Sequence, residues 1–145
     1  AENIMNRLIS EAGLSTKIIC DSAGTSGYHV GAAPDRRMSM AAKKRELKLI
    51  GQSRQLKPVD LQSFDLILAM DRENYQDILY LDREGKYEDK IHMICDFATE
   101  KADKEIPDPY YGGADGFDYV IDLLYDACAG LLNYVVNSAE YQAKI

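Results

Sequence analysis

Residues 64–70, FDLILAM, are the clearest strand signal in the 145-residue chain. Apolar residues follow one another almost without interruption, which is typical of a strand buried on both faces of a parallel sheet. Asp71 comes next and is suited to cap a helix that carries Tyr75, Ile78 and Leu79. A buried strand that leads directly into a helix is a unit of α/β folds, so this stretch predicts the fold class.

Helices and strands alternate on either side of this stretch. Helices are predicted at residues 1–14, 34–51 and 115–137, and further strands at residues 17–22 (KIICDS) and 90–94. The alternation predicts an α/β sandwich on a parallel sheet, in one domain that spans residues 1–145. With the helix that follows Asp71, four helices are predicted but only three strands, so no strand precedes the first helix. Ala1 also has no preceding residue to cap that helix. We therefore expect the domain to be incomplete at its N-terminus.

Composition and charge narrow the possible functions. A chain of 145 residues and 16.3 kDa is long enough for one domain with a core. Its formal net charge of −7 argues against a nucleic acid or an anionic membrane as the main partner, since both require clustered Lys and Arg. No run approaches the roughly 20 apolar residues of a membrane span, and no secretory signal pattern is present. We expect a cytoplasmic protein.

The cysteines suggest neither a disulfide framework nor a metal site. Cys20, Cys95 and Cys128 are odd in number and form no CxxC pair. The two histidines, His29 and His92, do not complete a ligand set. We expect no metal and no cofactor.

Residues 106–113, IPDPYYGG, concentrate the chemistry of the C-terminal half. The two prolines flank Asp108 and place this carboxylate on a stiffened, extended loop. Tyr110 and Tyr111 present two aromatic faces beside it. Two interpretations stay open at this point: a surface turn ended by the two glycines, or an acid held beside an aromatic substrate.

Several motifs in a fixed order resemble the low-molecular-weight protein tyrosine phosphatases. They are AEN at residues 1–3, DSAGT at 21–25, SRQ at 53–55, FDLILAMD at 64–71 and DPYYG at 108–112. The resemblance extends to about Leu132 and implies a doubly wound sandwich on a four-stranded parallel sheet of strand order 2-1-3-4. In that family the first strand and a Cys-x5-Arg-Ser phosphate loop precede the helix that begins here at Ala1. The resemblance thus implies that the first strand is missing from this sequence.

The resemblance also implies hydrolysis of phosphotyrosine in proteins through a phosphocysteine intermediate. The partners are then a tyrosine-phosphorylated protein and a phosphate or other oxyanion in the site, with no nucleic acid or membrane. Asp108 corresponds to the general acid that protonates the leaving tyrosyl oxygen and then activates water.

Five further residues receive roles from the resemblance. Tyr110 and Tyr111 correspond to an aromatic wall that stacks on the phosphotyrosine ring, and Tyr28 lies in the loop that forms the opposite wall. An ordinary surface position is an equally good interpretation of Tyr28. Ser22 and Asp71 correspond to residues that brace the phosphate loop, although a serine that ends a strand and an aspartate that caps a helix also have local roles.

Two departures from the family pattern bear on activity. None of the three cysteines stands six positions before an arginine; those positions hold Ser26, Lys101 and Tyr134. Gly51 occupies a place where relatives often carry a histidine. Two alternatives of the same fold therefore stay open: a catalytically inactive phosphotyrosine-binding module and an arsenate reductase. A receiver domain fits less well, since the acidic pair and the lysine that it needs are not in the right setting.

Overall fold

The computed structural model describes residues 1–26, 31–109 and 113–142, and of residues 113 and 114 the backbone only. Six α-helices and two strands are found in these ranges, in the order α1 (Glu2–Glu11), α2 (Arg36–Lys43), α3 (Pro58–Ser63), β1 (Ile67–Ala69), α4 (Arg72–Leu81), β2 (Ile91–Met93), α5 (Gly113–Asn137) and α6 (Ala139–Gln142). Short 3-10 helices at Glu88–Lys90 and Ile94–Phe97 flank β2.

The two strands form a parallel sheet, which confirms the predicted α/β class. Ile67 of β1 lies opposite Ile91 of β2. A separate parallel bridge joins Gly24 to Gln55. In this bridge the N–H of Gly24 donates to the carbonyl of Arg54 at 2.8 Å. A sheet of four strands in the order 2-1-3-4 is not established by these pairings.

β1 is covered on both faces, as its apolar run predicts. Ile67 and Ala69 pack into a cluster with Ile78 and Ile91. Leu68 lies against a second and larger cluster, which is built around α1 and α5. The strand therefore separates two apolar layers, and residues that follow it emerge at one edge of the sheet.

α5 is the central helix of the larger cluster and packs against α1. Eight of its described side chains are buried: Phe117, Val120, Ile121, Leu123, Leu124, Ala127, Cys128 and Leu131. Within the described residues, Asp115–Asn137 is the one helix that is long and apolar enough to cross a membrane. The core helix of a soluble protein has the same length and composition, and the burial of the α5 side chains against α1 supports this second explanation.

The strand predicted at residues 17–22 is not found. Within the described ranges, residues 18–22 pair with no neighbouring strand, and Ile19 is 85% exposed. Ile18 and Cys20 nevertheless pack against the larger cluster, which accounts for the apolar pattern. A strand needs a hydrogen-bonded neighbour, and the side of this segment that faces β1 opens on a groove.

The helix predicted over residues 34–51 is shorter in the structure. Asp35 caps α2 by accepting the N–H groups of Arg37 and Met38, at 2.9 and 3.1 Å. α2 ends at Lys43, and Glu46 adopts a left-handed φ of 60°. Leu47 is buried although it follows the helix, so its burial extends the apolar pattern beyond the helical backbone.

Candidate active site

A groove of about 990 Å³ lies between residues 18–25 and β1. Its apolar lining includes the side chains of Ile4, Met5, Ile121, Leu124, Cys128 and Leu131. It extends past the carboxyl end of β1, where Met70 and Asn74 also line it. Ligands of open α/β sheets bind beyond the carboxyl ends of the strands, which makes this end of the groove the candidate site.

Ser22 and Asp71, the two residues expected to brace a phosphate loop, both lie at this end of the sheet. Ser22 is exposed, lines the groove and donates its N–H to the carboxylate of Asp21 at 2.8 Å. Asp71 caps α4 through a 2.7 Å hydrogen bond from the N–H of Asn74. The Asn74 side-chain amide in turn lies 3.4 Å from the hydroxyl of Thr25. Asp71 thus has a local capping role, and a bracing role for Ser22 and Asp71 stays a prediction.

Arg54 connects two carboxylates beside the groove. Its Nε donates to Asp21 at 3.1 Å and its Nη1 to Asp60 at 3.0 Å. Asp60 also accepts the N–H of Lys57 at 2.8 Å. The Arg54 guanidinium is the main cause that holds the pKa of Asp60 below its ordinary value, and burial of Asp60 acts in the opposite direction. Arg54 therefore fixes an ionised carboxylate on each side of it.

A second carboxyl pair joins Glu2 to Asp21. Burial raises the pKa of Glu2, and its hydrogen bond with Asp21 raises it further. Burial opposes ionisation of Asp21 as well, but the Ser22 N–H, Glu2 and Arg54 together lower the pKa of Asp21. The pKa of Glu2 is thus raised and that of Asp21 lowered, so Glu2 takes up a proton before Asp21 as the pH falls.

Gly51 lies directly beside this pair. A Cβ at Gly51 would stand 3.6 Å from Oε2 of Glu2, and the backbone φ of +108° disfavours any other residue. The position that often holds histidine in relatives therefore borders Glu2.

The predicted general acid lies at the same edge of the sheet. Asp108 is exposed and lines a second groove, of about 490 Å³, together with Asp71 and Glu105. The N–H of Ile106 donates to the carbonyl of Met70 at 2.8 Å, which ties the Asp108 segment to the end of β1. Tyr28, Tyr110 and Tyr111 lie outside the described residues, so their predicted roles stay predictions.

The three cysteines are unsuited to act as nucleophiles. Burial raises the pKa of Cys20, Cys95 and Cys128 to about 11 in each case. The thiolate is the reactive form, so these side chains are protonated and inert near neutral pH. In the part of the chain that the structure describes, no group of three His, Cys, Asp or Glu side chains is arranged to hold a metal ion.

Two sets of contacts made by residues 99–105 were not predicted from the sequence. Glu105 accepts the backbone N–H of Arg72 at 2.7 Å. Asp126 of α5 accepts the backbone N–H groups of residues 99, 100 and 101 at 2.8–3.1 Å. No local pattern indicates either contact, because the partners are separated by 33 and by 25–27 residues.

Comparison with known proteins places the whole arrangement in one family. Residues 1–142 match the family model of the low molecular weight phosphotyrosine protein phosphatases. A putative low molecular weight protein-tyrosine-phosphatase of Synechocystis, slr0328, is 58% identical over 132 residues, which are 91% of this chain and 84% of that protein. The human low molecular weight phosphotyrosine protein phosphatase is 31% identical over 133 residues, again 91% of this chain and 84% of the relative.

Solved structures agree with the sequence matches. A protein tyrosine phosphatase of Entamoeba histolytica, crystallised with Hepes in its active site, superimposes with a TM-score of 0.87 at 43% identity. The match covers 92% of this chain and 85% of that one. YfkJ of Bacillus subtilis gives a TM-score of 0.82 at 30% identity over 92% of this chain and 83% of its own. The chain therefore belongs to the low molecular weight protein-tyrosine-phosphatase family of enzymes.

Proposed function

We propose that this protein hydrolyses phosphotyrosine in proteins through a phosphocysteine intermediate, with Asp108 as general acid and base. The observation that carries the proposal is the hydrogen bond from the Ile106 N–H to the Met70 carbonyl, at 2.8 Å. It fixes the Asp108 segment at the end of β1, where the polar groups of Ser22 and Asn74 line the large groove. A carboxyl group at this place is suited to protonate an oxygen that leaves a phosphoryl group held in the groove.

The nucleophile in this proposal belongs to a cysteine loop N-terminal to Ala1. Burial leaves Cys20, Cys95 and Cys128 protonated near neutral pH, so none of them supplies the thiolate. The family resemblance supplies a Cys-x5-Arg-Ser loop that leads into α1, and the N-terminus of a helix is a favourable place for a phosphate dianion.

The groove supports the same proposal. β1 pairs with β2 along one edge, and Ile67, Leu68 and Ala69 line the groove along the other. Residues 18–22 border the groove on its far side. A strand seated there would pair with both borders and give a four-stranded parallel sheet of order 2-1-3-4 in a single phosphatase domain.

The reaction in this site has two steps. The thiolate attacks phosphorus, an S–P bond forms, and the P–O bond to tyrosine breaks while Asp108 transfers its proton to the tyrosyl oxygen. Asp108 then accepts a proton from water, which attacks the phosphocysteine, breaks the S–P bond and releases phosphate. We propose that Tyr28, Tyr110 and Tyr111 flank the substrate ring and that Ser22 and Asp71 brace the phosphate loop.

The substrate class follows from the same chemistry. We propose a tyrosine-phosphorylated protein as partner and phosphate as the oxyanion bound in the site. With a net charge of −7, the surface is not suited to bind nucleic acid or an anionic membrane. We also propose a cytoplasmic location.

Substitution of Asp108 tests the proposal in the full-length protein. Asp108→Asn should lower kcat/KM for phenyl phosphate by roughly 10²–10⁴-fold, because phenol leaves poorly without a proton donor. The loss on p-nitrophenyl phosphate should be much smaller, since p-nitrophenolate leaves readily. Asp77→Asn makes the same charge change at an exposed position of α4 and should leave both substrates unaffected. An equal loss on both substrates would remove Asp108 from the acid role.

A further inference from the structure

The N-terminus of α4 receives carboxylates from two different parts of the chain. The first N–H groups of a helix have no partner inside that helix. Asp71, the N-cap residue, accepts the N–H of Asn74 at 2.7 Å. The N–H of Arg72, the first residue of α4, donates instead to Oε1 of Glu105, also at 2.7 Å. Glu105 lies three residues before Asp108, so the segment that carries Asp108 caps α4.

A second hydrogen bond follows immediately along the chain. The N–H of Ile106 donates to the carbonyl of Met70 at 2.8 Å. Glu105 and Ile106 are thus tied to consecutive parts of the β1–α4 junction. Pro107 then fixes its own φ, and Pro109 restricts the backbone of Asp108. Few torsions remain free between the Glu105 contact and the Asp108 carboxyl group.

The chain after Asp108 is also confined. The carbonyl oxygen of Pro109 would lie 3.1 Å from a Cβ placed at Gly116, so a glycine in α5 allows this close approach. Earlier in the segment, Asp126 accepts the N–H groups of residues 99–101, and the Tyr119 hydroxyl donates to Asp103 at 2.5 Å. We call residues 99–109 the acid loop. α5 therefore supports the acid loop at its start and end, and Glu105 joins it to α4.

We propose that Glu105 is a positioning residue for the reaction. Its carboxylate fastens the acid loop to the first N–H of α4 and so keeps the Asp108 carboxyl group at the distance that proton transfer to the leaving oxygen requires. The negative charge of Glu105 also suits the positive end of the helix dipole. This inference rests on the proposed function, because Glu105 acts only through Asp108.

Three variants of the full-length protein test the role of Glu105. Glu105→Ala removes the acceptor and should lower kcat/KM for phenyl phosphate by about tenfold, with a change of less than about twofold for p-nitrophenyl phosphate. Glu105→Gln keeps an oxygen that accepts the Arg72 N–H and should restore most of the loss. Glu84→Ala is the control: Glu84 is exposed, lies beyond the end of α4, lines neither groove and accepts no hydrogen bond from a described residue of the acid loop. It should behave as wild type.

An Asp108→Asn background separates positioning from general structural damage. If Glu105 acts through Asp108, Glu105→Ala should cause no further loss on phenyl phosphate once Asp108 is asparagine. A further loss in that background, or an equal loss on both substrates in the single variant, would overturn the inference. So would a Glu105→Gln variant as impaired as Glu105→Ala. Failure of the proposed function has a different signature, an equal loss on both substrates for Asp108→Asn itself, and the inference would fall with it.

Discussion

Nη1 of Arg54 lies 3.0 Å from Oδ2 of Asp60, whose side chain is only 12% exposed. Arg54→Met should therefore leave a buried carboxylate without its charged partner, at a cost of about 1–3 kcal/mol in the free energy of unfolding. Urea denaturation measures this change. The matched control is Arg7→Met, which also removes a hydrogen bond to the Tyr125 hydroxyl. The side chain of its ion-pair partner Glu11 is 61% exposed, and such pairs contribute less than about 1 kcal/mol. Equal losses for the two variants would contradict this account of Arg54.

The same pair predicts how stability depends on pH. Arg54 lowers the pKa of Asp60 in the folded state below its ordinary value of 3.8. A group whose folded pKa is depressed contributes stability that is present above the unfolded pKa and is lost as pH falls through the folded pKa. Between neutral pH and about pH 3, the wild-type protein should lose more free energy of unfolding than Arg54→Met. Parallel slopes for the two proteins would show that the ion pair is not the cause.

A close contact between α5 and the 3-10 helix Ile94–Phe97 predicts the effect of a single methyl group. A Cβ at Gly130 would overlap with the carbonyl oxygen of Phe97. Alanine at an open helix position gains about 1 kcal/mol over glycine, but here the clash should make Gly130→Ala destabilising by about 1–3 kcal/mol. Thermal unfolding decides the sign, and a raised Tm would contradict the packing described for α5.

The cysteines make a prediction about chemical reactivity. Because burial raises the pKa of Cys95 and Cys128 to about 11, neither should react quickly with a thiol-specific disulfide reagent in the native protein near neutral pH. Both should react at once in denaturing guanidinium. Rapid labelling of Cys128 in the folded protein would contradict its place in the core.

The elements predicted best from the sequence are those in which pattern and environment agree. The FDLILAM run predicted a doubly buried strand, and β1 has apolar clusters on both of its faces. Asp71 predicted a helix start, and it accepts the N–H of Asn74. The segment expected as a strand at residues 17–22 has no hydrogen-bonded neighbour within the described residues, since an apolar pattern gives burial but supplies no pairing partner.

Other differences arise from features that side-chain pattern does not encode. The predicted second helix was too long because Leu47 is buried, as it would be on a helix face, although it follows a turn at Glu46. Glu46 gave no warning of this turn, since glutamate has no preference for a left-handed φ. α3 has six residues and was missed, since so short a helix shows little periodicity, although Pro58 at its start and Asp60 in its first turn are its signals.

The sequence indicated residues of the candidate site but not the contacts between them. The motifs indicated Asp108, Ser22 and Asp71, and all three lie near the carboxyl end of β1. The contacts that arrange them were not predicted. The hydrogen bonds between Glu105 and Arg72 and between Arg54 and Asp21 each join residues that are 33 positions apart in the sequence. Such pairs depend on tertiary structure, and a single sequence carries no local signal for them.

The covalent intermediate tests the central claim most directly. The full-length protein is mixed with a phosphotyrosyl peptide, quenched in acid during turnover and analysed by intact mass and peptide mapping. The proposed function predicts one added phosphoryl group on a cysteine N-terminal to Ala1, none on Cys20, Cys95 or Cys128, and loss of turnover after thiol alkylation. Phosphate on one of those three cysteines, turnover that survives alkylation, or a protein of 16.3 kDa without turnover would contradict it.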